Sequence, residues 1–284
     1  MTAPQHDGRP ADEPAGEPAD QPREVPLTGG NVSADVVRVG DTVRRPTGPW
    51  TPAVHALLDH LHAVGCPGAP RPLGIDERGR EILTFAPGSA VWPDRFALLD
   101  PERRLARVGR LIRELHDAAA DFTPPPDAAW QRLLPPDGAE QIVHHDLAPW
   151  NLVVPDDGEV DGGGWQFIDW DGAGPGTRLG DLAYAAHGFL PLSADPAFRR
   201  ADAVAARRLR VLVDAYGLDE PQRRDLVPLL TARTRAMHDF LAARSAAGEE
   251  PWGTLWRDGH GEVWRRDAAY TEERATLWRD ALLA

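Results

Sequence analysis

Ile142-Val143-His144-His145-Asp146-Leu147-Ala148-Pro149-Trp150-Asn151-Leu152-Val153-Val154 is followed, after a spacer, by Trp165-Gln166-Phe167-Ile168-Asp169-Trp170-Asp171. The apolar runs 152–154 and 165–168 flank a polar, glycine-rich segment from Pro155 to Gly164. That pattern predicts a β-hairpin with a long loop. Asn151 stands just before the first strand and Asp169 just after the second. Antiparallel pairing brings those two positions to the same open end. Asp146 lies five residues before Asn151, in the loop that enters that end. One carboxylate, one amide and a second carboxylate are therefore expected in one small volume.

Phosphoryl transfer needs such a set. A carboxylate accepts or orients the proton of the attacking hydroxyl, and oxygen ligands hold a magnesium ion against the phosphates. Other readings exist for each residue. Asp146 could cap a helix, Asn151 could serve a turn, and His144, His145, Asp146 and Asp169 could bind a transition metal. Their ordered spacing around a hairpin weighs toward the chemical reading. Asp171 reads as structural.

Outward from this centre the chain divides in two. Residues 25–46 read as short strands broken by glycines, with Val36, Val37 and Val39 before the Gly40-Asp41 turn and Thr42-Val43-Arg44-Arg45 after it. A helix is expected with Thr51 as N-cap and Pro52 at its first position. Val54, Leu57, Leu58, Leu61 and Val64 follow helical spacing to Gly65. Glu81 to Phe85 is a strand, stopped by Pro87-Gly88. Residues 25–88 thus form a small α+β lobe, and residues 89–284 a larger, mainly helical one. Helical patterns run over 101–119, 196–216 and 221–244, and Trp252, Trp256, Trp264 and Trp278 punctuate the C-terminal segment. These tryptophans read as core and lobe contacts.

Residues 1–24 are rich in Pro, Ala, Asp and Glu and nearly lack large apolar side chains. Such a tract cannot offset its ordering entropy by burial and is expected to be disordered. It also carries part of the net charge of −13. That acidity argues against nucleic acid or an anionic membrane as partner. No apolar run approaches the roughly 18 residues of a membrane span. The N-terminus lacks a charged-then-apolar signal pattern, and the single Cys66 excludes an internal disulfide. A cytoplasmic protein is expected.

His144-x-Asp146-Leu147-x-x-x-Asn151 resembles the catalytic loop of protein kinases. With Ile168-Asp169-Trp170 in place of Asp-Phe-Gly, and Asp181-Leu182-Ala183 downstream, it is closer to the aminoglycoside phosphotransferase and choline kinase superfamily. The specific motifs lie in 142–183, within a resemblance spanning roughly 25–280. It implies a two-lobed kinase-like fold and a co-substrate, ATP or GTP, whose γ-phosphate passes to a hydroxyl of a small molecule. It implies Asp146 as catalytic base and Asn151 and Asp169 as magnesium ligands. His144 would steady the loop by packing, and Asp181 would brace its backbone. His116 and Asp117 read as lobe packing. Phe85 and Ala86, in Thr84-Phe85-Ala86-Pro87-Gly88, match the inter-lobe hinge that meets the purine. Ser33, ending Thr28-Gly29-Gly30-Asn31-Val32-Ser33, would contribute backbone N–H groups over the phosphates.

The pattern departs in one respect. Kinases place a lysine on the third strand and pair it with a helix glutamate, but all 31 basic residues here are arginine. Arg44 and Arg45 are the candidates. Strand alternation points to Arg44, since Arg45 in the cleft would turn Arg44 toward the apolar side. His55 stands near the place of the helix glutamate, which leaves two expectations: another carboxylate holds the cation, or nucleotide positioning is loose and turnover slow.

An aminoglycoside-like antibiotic, an amino alcohol such as choline and a sugar are all candidate acceptors. For a cationic acceptor, Asp195, Asp202, Asp239, Glu249 and Asp258 are the candidate partners. The alternative reading is a nucleotide-binding pseudokinase that acts through partners. The missing lysine and glutamate support it, while Asp146, Asn151 and Asp169 oppose it.

Overall fold

A computed structural model describes residues 23–27, 35–131, 133–135, 137–156 and 163–284. The protein is an α+β molecule of two lobes. Strands β1 (Glu24–Pro26), β2 (Val37–Val39), β3 (Thr42–Pro46), β4 (Pro72–Ile75) and β5 (Arg80–Thr84) form an antiparallel sheet in the order β1-β2-β3-β5-β4. Helix α1 (Thr51–Ala63) buries Val54, Leu57, Leu58 and Leu61, the residues that its sequence spacing puts on one face. It begins one residue earlier than expected, with Trp50 as N-cap. The Thr51 hydroxyl instead accepts the Gly48 N–H, at 2.9 Å. Glu24 lies in β1, paired with Val39, and so belongs to the sheet rather than to a tail. Residues 1–22 of that tract lie outside the described residues.

The larger lobe holds two small sheets and most of the helices. Strand β6 (Ser89–Ala90) pairs with β8 (Leu152–Val154), which pairs with β9 (Gln166–Phe167) in the expected hairpin. Strand β7 (Gln141–Val143) pairs with β10 (Gly174–Gly176). Around them stand α2 (Glu102–Ala119), α3 (Arg178–Phe189), α4 (Asp202–Tyr216), α5 (Glu220–Ala246), α6 (Trp252–Arg257), α7 (His260–Glu273) and α8 (Ala275–Leu283). The pattern over 196–216 becomes helical only from Asp202, because residues 195–201 are tied into a turn in which the Asp195 carboxylate accepts the Ala197 N–H. Helix α3 went unread in the sequence because its apolar residues run without a clear stripe: seven of its residues from Gly180 to Ala186 are buried in succession.

One apolar core joins the two lobes, from Leu57 and Leu83 through Leu111, Phe167 and Phe189 to Trp278. Of the C-terminal tryptophans, only Trp278 is fully buried. Trp252, Trp256 and Trp264 are half-buried and meet rings at Phe240, His238 and His187.

The strands of the small lobe reach the large one through Gly88, at φ 125°. A Cβ there would sit 2.2 Å from the Val154 carbonyl oxygen. Gly88→Ala is expected to destabilise the fold by at least ~2 kcal/mol, from backbone strain and overpacking together. A thermal midpoint equal to that of the parent would show that the crossing can widen.

Candidate active site

The hairpin does what its spacing predicts. Leu152 faces Phe167 across the ladder, and the Ile168 N–H donates to the Asn151 carbonyl at 2.9 Å. Asn151 and Asp169 therefore sit at the same mouth. The Asn151 amide donates to the Asp146 carboxylate at 2.7 Å and to the Asp146 carbonyl at 3.0 Å. This leaves the Asn151 side-chain oxygen, an acceptor, for another partner. Asp169 is the residue where the chain turns out of β9, with φ 63° and ψ 65°, a left-handed conformation that is strained for a residue with a Cβ. Such strain concentrates at functional positions.

His144 is buried and locks the loop. It packs on Trp170, with ring centroids 4.4 Å apart, and on Phe167. Burial holds its pKa below the usual value, so the ring is neutral near pH 7. Its hydrogen bonds assign the tautomer: Nδ1 accepts the Asp146 N–H and Nε2–H donates to the Ile168 carbonyl, each at 3.2 Å. The ring thus ties the loop to the end of β9. Burial pushes the Asp146 carboxyl above its usual range, against donors from Tyr184 and Asn151.

Asp181 braces the same loop. Its carboxylate accepts the N–H groups of His145 at 2.8 Å and His144 at 3.2 Å. Burial alone would raise its pKa. A hydrogen bond from His116 Nε2, at 3.1 Å, and nearby histidine charge hold it below the ordinary carboxylate value instead. His116 in turn meets the Tyr216 hydroxyl at 2.8 Å, so its role exceeds lobe packing. Asp181→Asn should cost about 2–3 kcal/mol, because it sets an amide against buried donors. The folded pKa lies below the unfolded one, so the Asp181 contribution is present above about pH 4 and lost as pH falls through the folded value. The thermal-stability gap between parent and variant should accordingly narrow in acid. A gap that is constant across that range would contradict this assignment.

The arginine at the site is Arg45, not Arg44. On β3, Val43 and Arg45 point to the face that β5 lines with Leu83 and Glu81, with Arg45 directly opposite Glu81. Arg45 is 7% exposed and Glu81 2%. The Arg45 guanidinium lies 3.0 Å from Glu81 and 3.1 Å from Asp169, and bonds Asp171 as well. Burial would lower its pKa, but Asp169, Asp171 and Glu81 together hold it above the usual value. Arg44 faces the other way, toward Asp76 at 3.8 Å and the Thr42 hydroxyl at 2.6 Å. The expectation failed because the buried face of the sheet is also the face toward the cleft. The cost of burying Arg45 is offset by a carboxylate on the next strand. His55 contacts that same carboxylate at 2.8 Å, so strand residue Glu81 takes the place of a helix glutamate, between Arg45 and His55. Asp171, read as structural, stands in this cluster. Burial pushes its carboxyl up to about 6, opposed by Arg45 and reinforced by Asp169 and Glu81.

The hinge residues are placed less evenly. The Phe85 N–H already donates to the Asp41 carbonyl at 2.9 Å, and its ring lies under the Arg38 guanidinium at 3.8 Å. Ala86 is buried beside it. Ser33 and its glycine-rich segment lie outside the described residues.

Among the described residues, no three His, Cys, Asp or Glu side chains gather closely enough to hold a metal ion. The transition-metal reading therefore lacks a ligand set there. The oxygen of Asn151 and the Asp169 carboxylate suit a hard cation instead, which takes few protein ligands and completes its shell with phosphate and water. Of the acids considered for a cationic acceptor, four are engaged elsewhere: Asp195 with Ala197, Asp202 with Arg274, Asp239 with His238 and Glu249 with Arg244.

These elements define a kinase-like phosphotransferase fold, and comparison with known proteins agrees. Residues 127–212, which contain the loop, Asp169 and Asp181, match the phosphotransferase enzyme family. The chain is 35% identical over 252 residues to the trifolitoxin immunity protein of Rhizobium leguminosarum bv. trifolii, covering 82% of this chain and 92% of that protein. It belongs to this family of phosphotransferase enzymes and is a homologue of that immunity protein. Among solved structures, it resembles the microcompartment-associated aminopropanol kinase, with a TM-score of 0.61 at 14% identity over 94% of this chain and 95% of the other. It also resembles an amicoumacin kinase in complex with AMP-PNP, Ca2+ and Ami, with a TM-score of 0.60 at 12% identity over 90% and 89% of the two chains.

Proposed function

We propose that the protein transfers the γ-phosphate of ATP or GTP to a hydroxyl of a small molecule. The convergence of Asp146, Asn151 and Asp169 at the hairpin mouth, facing buried Arg45, carries this reading. Asp146 takes the proton of the acceptor hydroxyl as its oxygen bonds to the γ-phosphorus and the bond to the β-phosphate oxygen breaks, releasing the nucleoside diphosphate. Asn151 orients the Asp146 carboxylate. A magnesium ion held by Asn151 and Asp169 would offset charge on the phosphates. Arg45, anchored by Glu81 through Nε and by Asp169 and Asp171 through Nη2, would offer Nη1 and its positive charge to phosphate where kinases use a lysine.

The small lobe, through residue 88, would hold the nucleotide, with Ala86 at the base edge. The helices after it would hold the acceptor. Neighbours in fold act on aminopropanol and amicoumacin, and a homologue is named for immunity to a toxin. An amino alcohol or a hydroxylated antibiotic or toxin is therefore the leading acceptor class. The pseudokinase alternative drew on the missing lysine and helix glutamate, and the Arg45–Glu81 pair supplies both charges.

The test is diphosphate formation from ATP and GTP against amino alcohols, antibiotics and sugars, with acceptor-independent hydrolysis recorded alongside. A protein that binds magnesium nucleotide but shows no Asp146-dependent turnover of either kind is not this enzyme.

A further inference from the structure

Helix α3 grips the catalytic loop at more than its backbone. Asp181 and Tyr184 are three residues apart and share a helix face. Asp181 takes the N–H groups of His144 and His145, while the buried Tyr184 side chain neighbours the Asp146 carboxylate, whose negative charge, after burial, helps hold the Tyr184 pKa well above its usual value. Tyr184 is 6% exposed, so water does not come freely between it and Asp146.

A second helix reaches the same place. From α5, the Arg233 guanidinium lies over the Tyr184 ring, 4.4 Å from its centroid, and Nη2 donates to the His145 carbonyl at 3.1 Å. His145 has φ 66°, a left-handed conformation that is strained for a residue with a Cβ. Both of its backbone groups are held, the N–H by Asp181 and the carbonyl by Arg233. The peptide that leads into Asp146 is thus fixed from two helices. Nη1 of Arg233 is buried with no hydrogen-bond partner among the described residues. Leaving a guanidinium donor buried and unpaired is costly. A residue serving only the packing of α5 would do better apolar.

We propose that Tyr184 and Arg233 are a positioning pair for Asp146: Tyr184 sets the direction of the carboxylate, and Arg233 holds Tyr184 and the strained His145 peptide in place. The pair acts on the phosphotransfer reading above and adds two residues to it. Without Arg233, His145 relaxes toward an ordinary φ and Asp146 turns away from the γ-phosphate.

The experiment joins two measurements on the full chain. Steady-state kinetics of acceptor-independent ATP hydrolysis, or of transfer once an acceptor is known, are compared for the parent, Tyr184→Phe, Arg233→Met, Arg233→Lys and the Tyr184→Phe/Arg233→Met double variant. Backbone amide exchange is followed by NMR at His145 and Asp146 and along α3 and α5. Each single variant should lose about 10–100-fold in kcat, the scale of a misplaced catalytic group, with nucleotide KM within about twofold. The double variant should be scarcely worse than the worse single one, since both act through one carboxylate. In Arg233→Met, exchange should quicken about tenfold or more at His145 and Asp146 while the helix amides keep their rates. Lysine keeps the charge but not the planar face, so Arg233→Lys should recover little.

Full recovery by lysine would reduce Arg233 to a counter-charge and overturn the proposal. So would unchanged exchange at His145 and Asp146, or exchange quickened equally along the helices. A parent without Asp146-dependent turnover defeats the phosphotransferase reading alone. The exchange comparison still decides whether the pair holds the loop.

Discussion

Asp146→Asn is expected to lower turnover by about 10²–10⁴-fold, the usual worth of a positioned general base, and to leave nucleotide affinity nearly unchanged. The substitution preserves size and removes basicity. An amide at 146 no longer takes a proton, and one of its atoms would face the Asn151 amide donor that now rests 2.7 Å away. In the proposed mechanism metal and phosphate contacts would come from Asn151, Asp169 and Arg45, so the nucleotide should bind as before. Asp169→Asn should separate from it: magnesium-dependent nucleotide binding and rate should fall together, because the proposed mechanism makes Asp169 a charged metal ligand. Nucleotide titration with and without magnesium, beside single-turnover rates, distinguishes the two. An Asp146→Asn variant as fast as the parent would remove the base from the mechanism.

How much of this was legible in the sequence depends on how local each signal is. The pairing of the hairpin strands and the convergence of Asp146, Asn151 and Asp169 follow from spacing over fewer than thirty residues, and the ladder repeats that spacing, while residues 157–162 of the expected polar loop lie outside the described residues. Helix α1 was readable for the same reason, apart from its cap. Arg45 was not, because alternation separates the two faces of β3 without saying which face meets the cleft. That depends on Glu81 sitting opposite on β5, a partner 36 residues away that carries no motif of its own. Tyr184 had a faint signal, one helical turn after Asp181. Arg233 had none, since only the packing of α5 on α3 brings it to a loop 88 residues earlier. The acids considered for a cationic acceptor looked equivalent as sequence. The arginine and histidine partners of Asp202, Asp239 and Glu249 became visible only in the fold.

Arg45→Met has the second large effect, and it falls on stability and nucleotide binding together. Glu81 is almost wholly buried, and Arg45 is its main counter-charge beside His55. Removing one partner of a buried ion pair costs about 3–5 kcal/mol, because the other charge stays desolvated. Asp169 and Asp171 lose the same cation, so their mutual repulsion grows where phosphate must enter. The two consequences separate in a second variant. Arg45→Met/Glu81→Leu replaces the pair with apolar groups and should regain most of the stability, since such replacements are often neutral or better. It should not regain nucleotide affinity, because the phosphate-facing cation is still missing. Arg44→Ala is the control: it removes an ion pair with Asp76 on the outer face and should leave affinity unchanged. Chemical denaturation gives the first quantity and nucleotide titration the second. If Arg44→Ala weakens nucleotide binding as much as Arg45→Met does, or if the double variant binds nucleotide like the parent, then Arg45 serves the sheet and not the phosphates.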